Sequence, residues 1–264
     1  MTRLSATFAD LAHRPALVTF ITAGDPTVGH TVASMHAMVE GGADILELGI
    51  PFSDPEAEGP AIQASSERAL NNGVTLLRVL EMVAEFRQRD KVTPVVLMGY
   101  LNSVLAMHDF AARAGRAGAD GLIMVNLPPE EAHDLKRELA AHEIDLIFLL
   151  APTTTRTRAN LILNQASGFA YYVSIKGITG ADHLKVNEVA DRVAELKTIS
   201  GIPICVGFGI KDAQTARLVG AHADGVVVGS ALVNTMAQHA DDVVACCDAL
   251  RMFVLELRSG LDSI

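Results

Sequence analysis

The sequence lacks the features that mark several protein classes. Cysteines are few: Cys205, Cys246 and Cys247 have spacings that fit neither a disulfide framework nor a zinc site, and we expect core thiols. Nine histidines are scattered without an HExxH pattern, so no metal is implied. Basic residues number 21 against 31 acidic ones. The net charge of −10 argues against a nucleic-acid partner, because binding to a phosphate backbone needs a basic surface.

Long apolar runs are also missing. No run reaches the length of a membrane span, although half of the residues are hydrophobic and the mean hydropathy is +0.30. Residues 1–5 lack a signal-peptide pattern, so we expect a soluble cytoplasmic protein. With 264 residues, the chain is long enough for one α/β barrel or for two small domains.

Short β-rich apolar runs alternate with longer amphipathic stretches, which is typical of βα units around a parallel sheet. The candidate strands are residues 16–22, 45–49, 94–98, 121–125, 144–150, 170–174, 204–207 and 225–228. Eight strands close a (β/α)8 barrel, and ~250 residues is typical of that fold. We therefore predict an α/β protein in which residues 1–264 form a single TIM-barrel domain, since no Pro/Ser/Gly-rich linker divides the chain.

Helices are predicted between the strands and after the last one. Their positions are residues 27–41, 76–89, 109–118, 130–142, 156–165, 187–200, 212–219 and 231–257, with an extra helical stretch at 61–70 after the second strand. The junctions at 42–44 and 118–120 both read Gly-Ala-Asp. With residues 220–224 they look like an internal repeat, in which glycine supplies the left-handed cap of a helix before the next strand.

The second predicted strand carries a carboxylate, Glu47, in the middle of an apolar run. Burying an unpaired carboxylate is costly, so such a group is paired, protonated or kept for chemistry. The loop that follows holds Asp54, Glu56 and Glu58. In a barrel, this arrangement would bring two titratable groups to one mouth.

Glycine-rich turns follow the sixth, seventh and eighth strands, at residues 177–180, 207–209 and 229–230. Main-chain amides at the start of a helix near Ser230 could bind a phosphate without lysine or arginine, and barrels commonly bind phosphate after strands seven and eight. Any one of these glycines alone is better interpreted as an ordinary turn residue; together they favour a phosphate site. The segment 176–186, rich in Gly and Thr, suits a lid over the mouth.

With these features in position, the sequence resembles the α subunit of tryptophan synthase over essentially its full length. The matching stretches are residues 20–26, 46–55, 59–63, 96–102, 151–154, 171–174, 177–180 and 206–210. The block LELGIPFSDP at 46–55 is highly specific to that family. The resemblance implies a lyase of tryptophan biosynthesis that cleaves indole-3-glycerol phosphate to indole and glyceraldehyde 3-phosphate without a cofactor. It also implies a possible partner, a pyridoxal-phosphate-dependent β subunit in an αββα complex.

Site residues follow from the same resemblance. It implies that Glu47 is the general acid/base, Glu58 the second catalytic acid and Tyr171 an active-site tyrosine. Positions that line the indole pocket correspond to Phe20, Met98, Tyr100 and Phe208, although the apolar ones are equally well interpreted as barrel core. Positions that bind the substrate phosphate correspond to Gly180, Gly209, Gly229 and Ser230, and Thr179 is a further substrate-binding position.

Four residues depart from the family pattern. Glu58 stands where the family has aspartate, and a shift of about 1 Å in a catalytic group can cost on the order of 10²-fold in rate. Ile175 replaces an arginine, whose charge the neighbouring Lys176 could supply. Glu56 replaces an apolar residue and Asn126 an aspartate, both facing the β subunit in the family, so we expect a weakened complex.

Three functions therefore stay open from the sequence. The first is an indole-3-glycerol-phosphate lyase, acting alone or with a β subunit. The second is a non-catalytic subunit that binds a glycerol phosphate and signals to a partner. The third is a divergent paralogue acting on another aryl- or sugar-glycerol phosphate, since one barrel fold hosts many chemistries.

Overall fold

The structure, a computed structural model, describes residues 1–12, 14–174, 182–207 and 209–264, with the main chain alone for 182–185. Eight parallel strands close into a barrel in the order β1 to β8, each paired with the next and β8 with β1. The strands are β1 Ala16–Thr22, β2 Ile45–Gly49, β3 Val95–Gly99, β4 Gly121–Met124, β5 Asp145–Leu150, β6 Ala170–Val173, β7 Ile204–Gly207 and β8 Gly225–Val228. The predicted (β/α)8 TIM barrel is confirmed, and no predicted strand boundary is wrong by more than one residue.

Helices alternate with the strands. They are α1 Arg3–Leu11, α2 His30–Glu40, α3 Pro60–Asn71, α4 Leu76–Phe86, α5 Leu101–Leu105, α6 Phe110–Ala117, α7 His133–Ala140, α8 Arg156–Gln165, α9 Asp182–Lys197, α10 Ala213–Gly220, α11 Ser230–Gln238 and α12 Val243–Asp262. A 3-10 turn, Pro129–Glu131, precedes α7. The extra helical stretch after the second strand is confirmed as α3. No helix in the described part of the chain is long and apolar enough to cross a membrane.

Two helix predictions were wrong. The closing segment 231–257 is two helices, because the side chain of Asp242 accepts hydrogen bonds from the Val244 and Ala245 amides and so starts α12 anew. α9 begins five residues earlier than predicted. Two helices, α1 and α5, were missed.

The first helix closes the N-terminal end of the barrel. Leu4 and Leu11 pack among the inward-facing strand residues Val18, Ile45 and Ile147, and all five are buried. Thr2 is the N-cap of this helix, and its side chain accepts a hydrogen bond from the Ser5 amide. An amphipathic N-terminal stretch thereby becomes part of the barrel interior.

The aspartates of the predicted Gly-Ala-Asp repeat make recurring hydrogen bonds at the N-terminal end of the barrel. Asp44, Asp120 and Asp224 each precede an even-numbered strand and accept a hydrogen bond, at 2.7–2.8 Å, from the main-chain N–H of a residue in the preceding strand. Ser167 does the same between β5 and β6, where its hydroxyl lies 3.0 Å from the Leu146 nitrogen. Four side chains thus fix the register of four neighbouring strand pairs.

Candidate functional site

Side chains of strand β2 point alternately into the barrel and out toward the helices. Ile45 points inward, whereas Leu46 and Leu48 pack against the helices. Glu47 shares the inward face and is only 1% exposed. One of its carboxyl oxygens, Oε2, is buried without a hydrogen-bond partner among the described residues. Burial, and secondly the charge of Glu58, raise the pKa of Glu47 to about 8. At neutral pH the group is therefore mainly a protonated acid.

The second carboxyl group, Glu58, lies on the loop between β2 and α3. It is half-buried, and burial raises its pKa to about 7. Its main chain is fixed at both ends, because its N–H donates to the Pro55 carbonyl at 3.0 Å and its carbonyl accepts from the Gln63 side chain at 2.8 Å. Two carboxyl groups with raised pKa values thus lie within electrostatic reach of each other near neutral pH, which suits proton transfer.

A pocket of about 290 Å³, including its open mouth, lies above Glu47 at the C-terminal end of the barrel. The residues around it are Phe20, Thr22, Gly49, Ile50, Phe52, Pro55, Glu58, Ile62, Ser66, Met98, Gly99, Tyr100 and Val125. The rings of Phe52 and Tyr100 stack with centroids 4.8 Å apart and form one wall. Gly49 makes room for Phe20, since a Cβ there would lie 2.7 Å from the Phe20 Cζ. The pocket is aromatic, with one carboxyl group at its edge.

The helix α3 supplies a polar wall that the sequence reasoning missed. Ser66 lines the pocket, and Thr22 meets the neighbouring Ser65 with hydroxyl oxygens 2.6 Å apart. Arg68 binds Asp25 after β1 through two hydrogen bonds of 2.6 and 3.1 Å, so α3 is fastened to the first strand. The signal for this wall was present in the sequence: two adjacent serines stand in a predicted helix beside the mouth.

Tyr171 lies deeper, on β6. Gly207 on β7 leaves the space for its phenol group, because a Cβ there would come within 2.7 Å of the hydroxyl oxygen. Burial raises the pKa of Tyr171 well above its usual value, and the charges of Glu47 and Glu58 raise it further. The phenol therefore keeps its proton and can act as a hydrogen-bond donor beside the carboxyl pair.

The start of α11 lies next to Phe20. Gly229 precedes the helix, and a Cβ at that position would touch the Phe20 ring at 3.4 Å. Ser230 is exposed and begins the helix, whose first N–H groups have no acceptor within the helix. Gly209, with φ +60, has open space around its Cα. Gly229 thus lies beside the pocket residue Phe20, while Gly209 and Ser230 follow β7 and β8 at the same end of the barrel.

The structure therefore brings Phe20, Met98, Tyr100 and Glu58 around one pocket. Glu47 stands two residues before the pocket residue Gly49 on β2, and Tyr171 on β6 is near enough for the charges of Glu47 and Glu58 to raise its pKa. Three predicted substrate ligands, Thr179, Gly180 and Phe208, lie outside the described residues, as do Ile175 and Lys176. The roles assigned to all of these residues stay predictions.

The two interface departures have different surroundings. Glu56 is exposed on the loop that carries Glu58. The side chain of Asn126 is exposed as well, but its oxygen accepts a hydrogen bond from the Leu101 amide at 2.8 Å. An aspartate could accept the same bond, so the change to asparagine removes a charge and keeps this contact.

Comparison with known proteins gives one consistent result. The family model described as tryptophan synthase alpha chain matches residues 8–261. The tryptophan synthase alpha chain of Chromobacterium violaceum is 52% identical over 263 residues, covering 99% of this chain and 100% of that protein. That of Thioalkalivibrio sulfidiphilus is 51% identical over 266 residues, with 99% and 100% covered.

Solved structures agree. The crystal structure of tryptophan synthase subunit alpha from Legionella pneumophila str. Paris has a TM-score of 0.93 and 43% identity, with all of both chains covered. A chain from the aminoacrylate-bound form of tryptophan synthase from M. tuberculosis has a TM-score of 0.87 and 34% identity, with 99% of this chain and 100% of that chain covered.

Proposed function

The chain belongs to the tryptophan synthase alpha chain family, and from that premise we propose that it cleaves indole-3-glycerol phosphate to indole and glyceraldehyde 3-phosphate. The observation that carries this proposal is the pair of raised-pKa carboxyl groups, Glu47 and Glu58, at an aromatic pocket beside a helix N-terminus. The aromatic pocket suits a flat apolar ring, the carboxyl groups suit proton transfer, and the helix N-terminus suits a phosphate.

In the proposed reaction, Glu47 is the acid and then the base. Its carboxyl proton goes to ring carbon C3, and the positive charge that develops on the ring nitrogen is balanced by the ionised Glu58. The ionised Glu47 next takes the proton of the adjacent glycerol hydroxyl. The C–C bond then breaks, its electron pair returns to the ring, and an aldehyde and indole are formed with Glu47 protonated again.

The remaining site residues have supporting roles in this proposal. Tyr171 donates a hydrogen bond beside the carboxyl pair, and Phe20, Met98, Tyr100 and Phe208 enclose the indole ring. Main-chain amides and hydroxyl groups of Thr179, Gly180, Gly209, Gly229 and Ser230 bind the phosphate. Support comes from the borders of the described pocket and from the glycine-rich turns.

We also propose that the chain assembles with a tryptophan synthase β subunit, as its family membership indicates. That Glu56 and Asn126 weaken this complex stays a prediction. We place the reaction in the cytoplasm, since phosphorylated metabolites do not cross membranes freely. We infer that residues 1–264 form one domain, because the final helix, α12, packs back on α2 and α10. A paralogue with another substrate and a non-catalytic subunit are not favoured at this similarity.

The test is indole release from indole-3-glycerol phosphate by the purified chain, with and without a β subunit. Release in either condition is the expected result, and release that increases with the partner supports the complex. No release in either condition, while a glycerol phosphate analogue still binds, would contradict the proposed function.

A further inference from the structure

The loop that carries Glu58 crosses the mouth of the barrel between the end of β2 and the start of α3. Within the loop, two main-chain hydrogen bonds are made, from Glu56 to Asp54 at 2.9 Å and from Glu58 to Pro55 at 3.0 Å. These bonds, with the one from the Gln63 side chain to the Glu58 carbonyl at 2.8 Å, hold the loop to itself and to α3, but they do not join it to the strands of the barrel. The distance of the loop from the strands decides where the Glu58 carboxyl group lies relative to the pocket.

Tyr100 contacts this loop at two points. Its ring stacks on Phe52 at 4.8 Å with an angle of 18° between the planes, and its hydroxyl oxygen accepts a hydrogen bond from the Ala57 amide at 3.1 Å. The second contact is to the residue directly before Glu58. Tyr100 itself is only 4% exposed, so both contacts are made from a fixed side chain.

Tyr100 is held in turn by the next strand. It lies between β3 and α5, and the following amide, that of Leu101, donates to the Asn126 side chain at 2.8 Å. Asn126 follows β4, whose end is tied to β3 by the hydrogen bond from the Val125 amide to the Gly99 carbonyl at 3.0 Å. Contacts therefore run from β4 through Asn126 and Tyr100 to the loop after β2.

We propose that Tyr100 and Asn126 are positioning residues: the hydroxyl of Tyr100 fixes the loop residue beside Glu58, and the Asn126 side chain fixes Tyr100. This inference rests on the proposed function for its kinetic readout. Two hydrogen bonds connect Asn126 to the loop that carries Glu58: the Leu101 amide donates to Asn126, and the Ala57 amide donates to Tyr100. Each bond can be removed by a single substitution.

The first test is Tyr100→Phe, which keeps the stacked ring and removes the acceptor of the Ala57 amide. The expected result is about tenfold lower kcat, the rate equivalent of one neutral hydrogen bond, with KM within about twofold because the ring still lines the pocket. Faster hydrogen exchange of the Ala57 amide should accompany it. Tyr172→Phe is the matched control, since Tyr172 packs in the outer core and does not line the pocket.

The second test uses Asn126, whose side chain is exposed and does not line the pocket, in assays without a partner subunit. Asn126→Ala removes the acceptor of the Leu101 amide and should lower kcat about threefold without changing the melting temperature. Asn126→Asp keeps an acceptor oxygen and should restore kcat to the unmodified value. Rescue by the second variant separates positioning from a general structural effect.

The inference is overturned if the unmodified chain is active and both Tyr100→Phe and Asn126→Ala keep its kcat within twofold. If the unmodified chain releases no indole, alone or with a β subunit, the proposed function fails separately. The Ala57 exchange rate then decides the positioning contact, and equal protection in the Tyr100→Phe variant would overturn it.

Discussion

Two buried carboxyl groups, Asp120 before β4 and Glu47 within β2, have opposite surroundings. At the N-terminal end, Asp120 accepts hydrogen bonds from the Val95 amide at 2.8 Å, from Arg87 at 2.6 Å and from Arg3 at 2.7 Å. At the C-terminal end, Glu47 is equally buried, and its Oε2 has no such partner within the described ranges. The first carboxylate holds strands together, whereas the second is kept as a weak acid.

The difference teaches how one fold separates stability from chemistry. A buried carboxyl group with cations and amides around it has its polar atoms paired and acts as a structural link. One without them is protonated at neutral pH and can give its proton away. In a barrel, groups used for chemistry lie toward the C-terminal side, because the connections that carry variable loops leave from there. Compensated carboxylates occur at that side too, since Asp25 after β1 is bound by Arg68.

The largest expected effect is on turnover, when Glu47 on the C-terminal side of the barrel is changed. Glu47→Gln keeps the shape of the side chain and removes its acidic, titratable proton, so kcat should fall by about 10²- to 10⁴-fold. Unfolding by urea at neutral pH should show no loss of stability. Glu138→Gln, at an exposed glutamate on α7, is the control and should leave both quantities unchanged. Full activity of the Glu47 variant would show that another group is the acid.

A change at the N-terminal end of the barrel should instead lower the free energy of unfolding. Asp120→Asn removes the nearer of two carboxylates beside Arg87, which is only 6% exposed, and leaves Asp90 at 3.8 Å. Removing one member of a buried ion pair costs about 3–5 kcal/mol, and we expect a loss near the lower of these values because Asp90 remains. Urea unfolding measures this loss, and kcat per folded molecule should be unchanged. Asp134→Asn, in the exposed pair with Arg137, should have little effect on stability. Comparable stability of the two variants would contradict the contrast between the two carboxyl groups.

The third effect is on the pH dependence of stability. Glu47 has a pKa of about 8 in the folded chain, against about 4.3 for an unperturbed glutamate in the unfolded one. Between these values the folded state binds more protons, so the free energy of unfolding falls as pH rises through that window. Glu47→Gln lacks this contribution. Its stability relative to the unmodified chain should therefore increase from about pH 5 to about pH 9, measured by urea unfolding.

A stability difference that stays constant over that range would mean that Glu47 ionises as an ordinary surface glutamate. The burial argument for Glu47 would then be wrong. Glu58 acts with the same sign through its own raised pKa, but it is present in both proteins and largely cancels in the comparison.

The helices that were missed or misjudged show where local sequence patterns are insufficient. α5 has five residues, and its first amide is satisfied by Asn126 on another connection, so no local pattern marks it. α1 takes its stability from burial of Leu4 and Leu11 under the barrel. The break between α11 and α12 is marked by Asp242, but its capping role competes with a helical pattern on both sides.

The sequence by itself determined the strand count, the parallel barrel and the anomaly at Glu47, because alternation of apolar residues and a charge within a strand are local properties. Only the tertiary structure decided which charges are compensated. Asp120 precedes an apolar strand and Glu47 interrupts one. The neighbouring sequence does not tell which of the two carboxyl groups has partners in the folded protein. Arg87, Arg3 and the Val95 amide reach Asp120 from distant parts of the chain. No such group reaches Oε2 of Glu47 within the described residues, and burial raises the pKa of that carboxyl group.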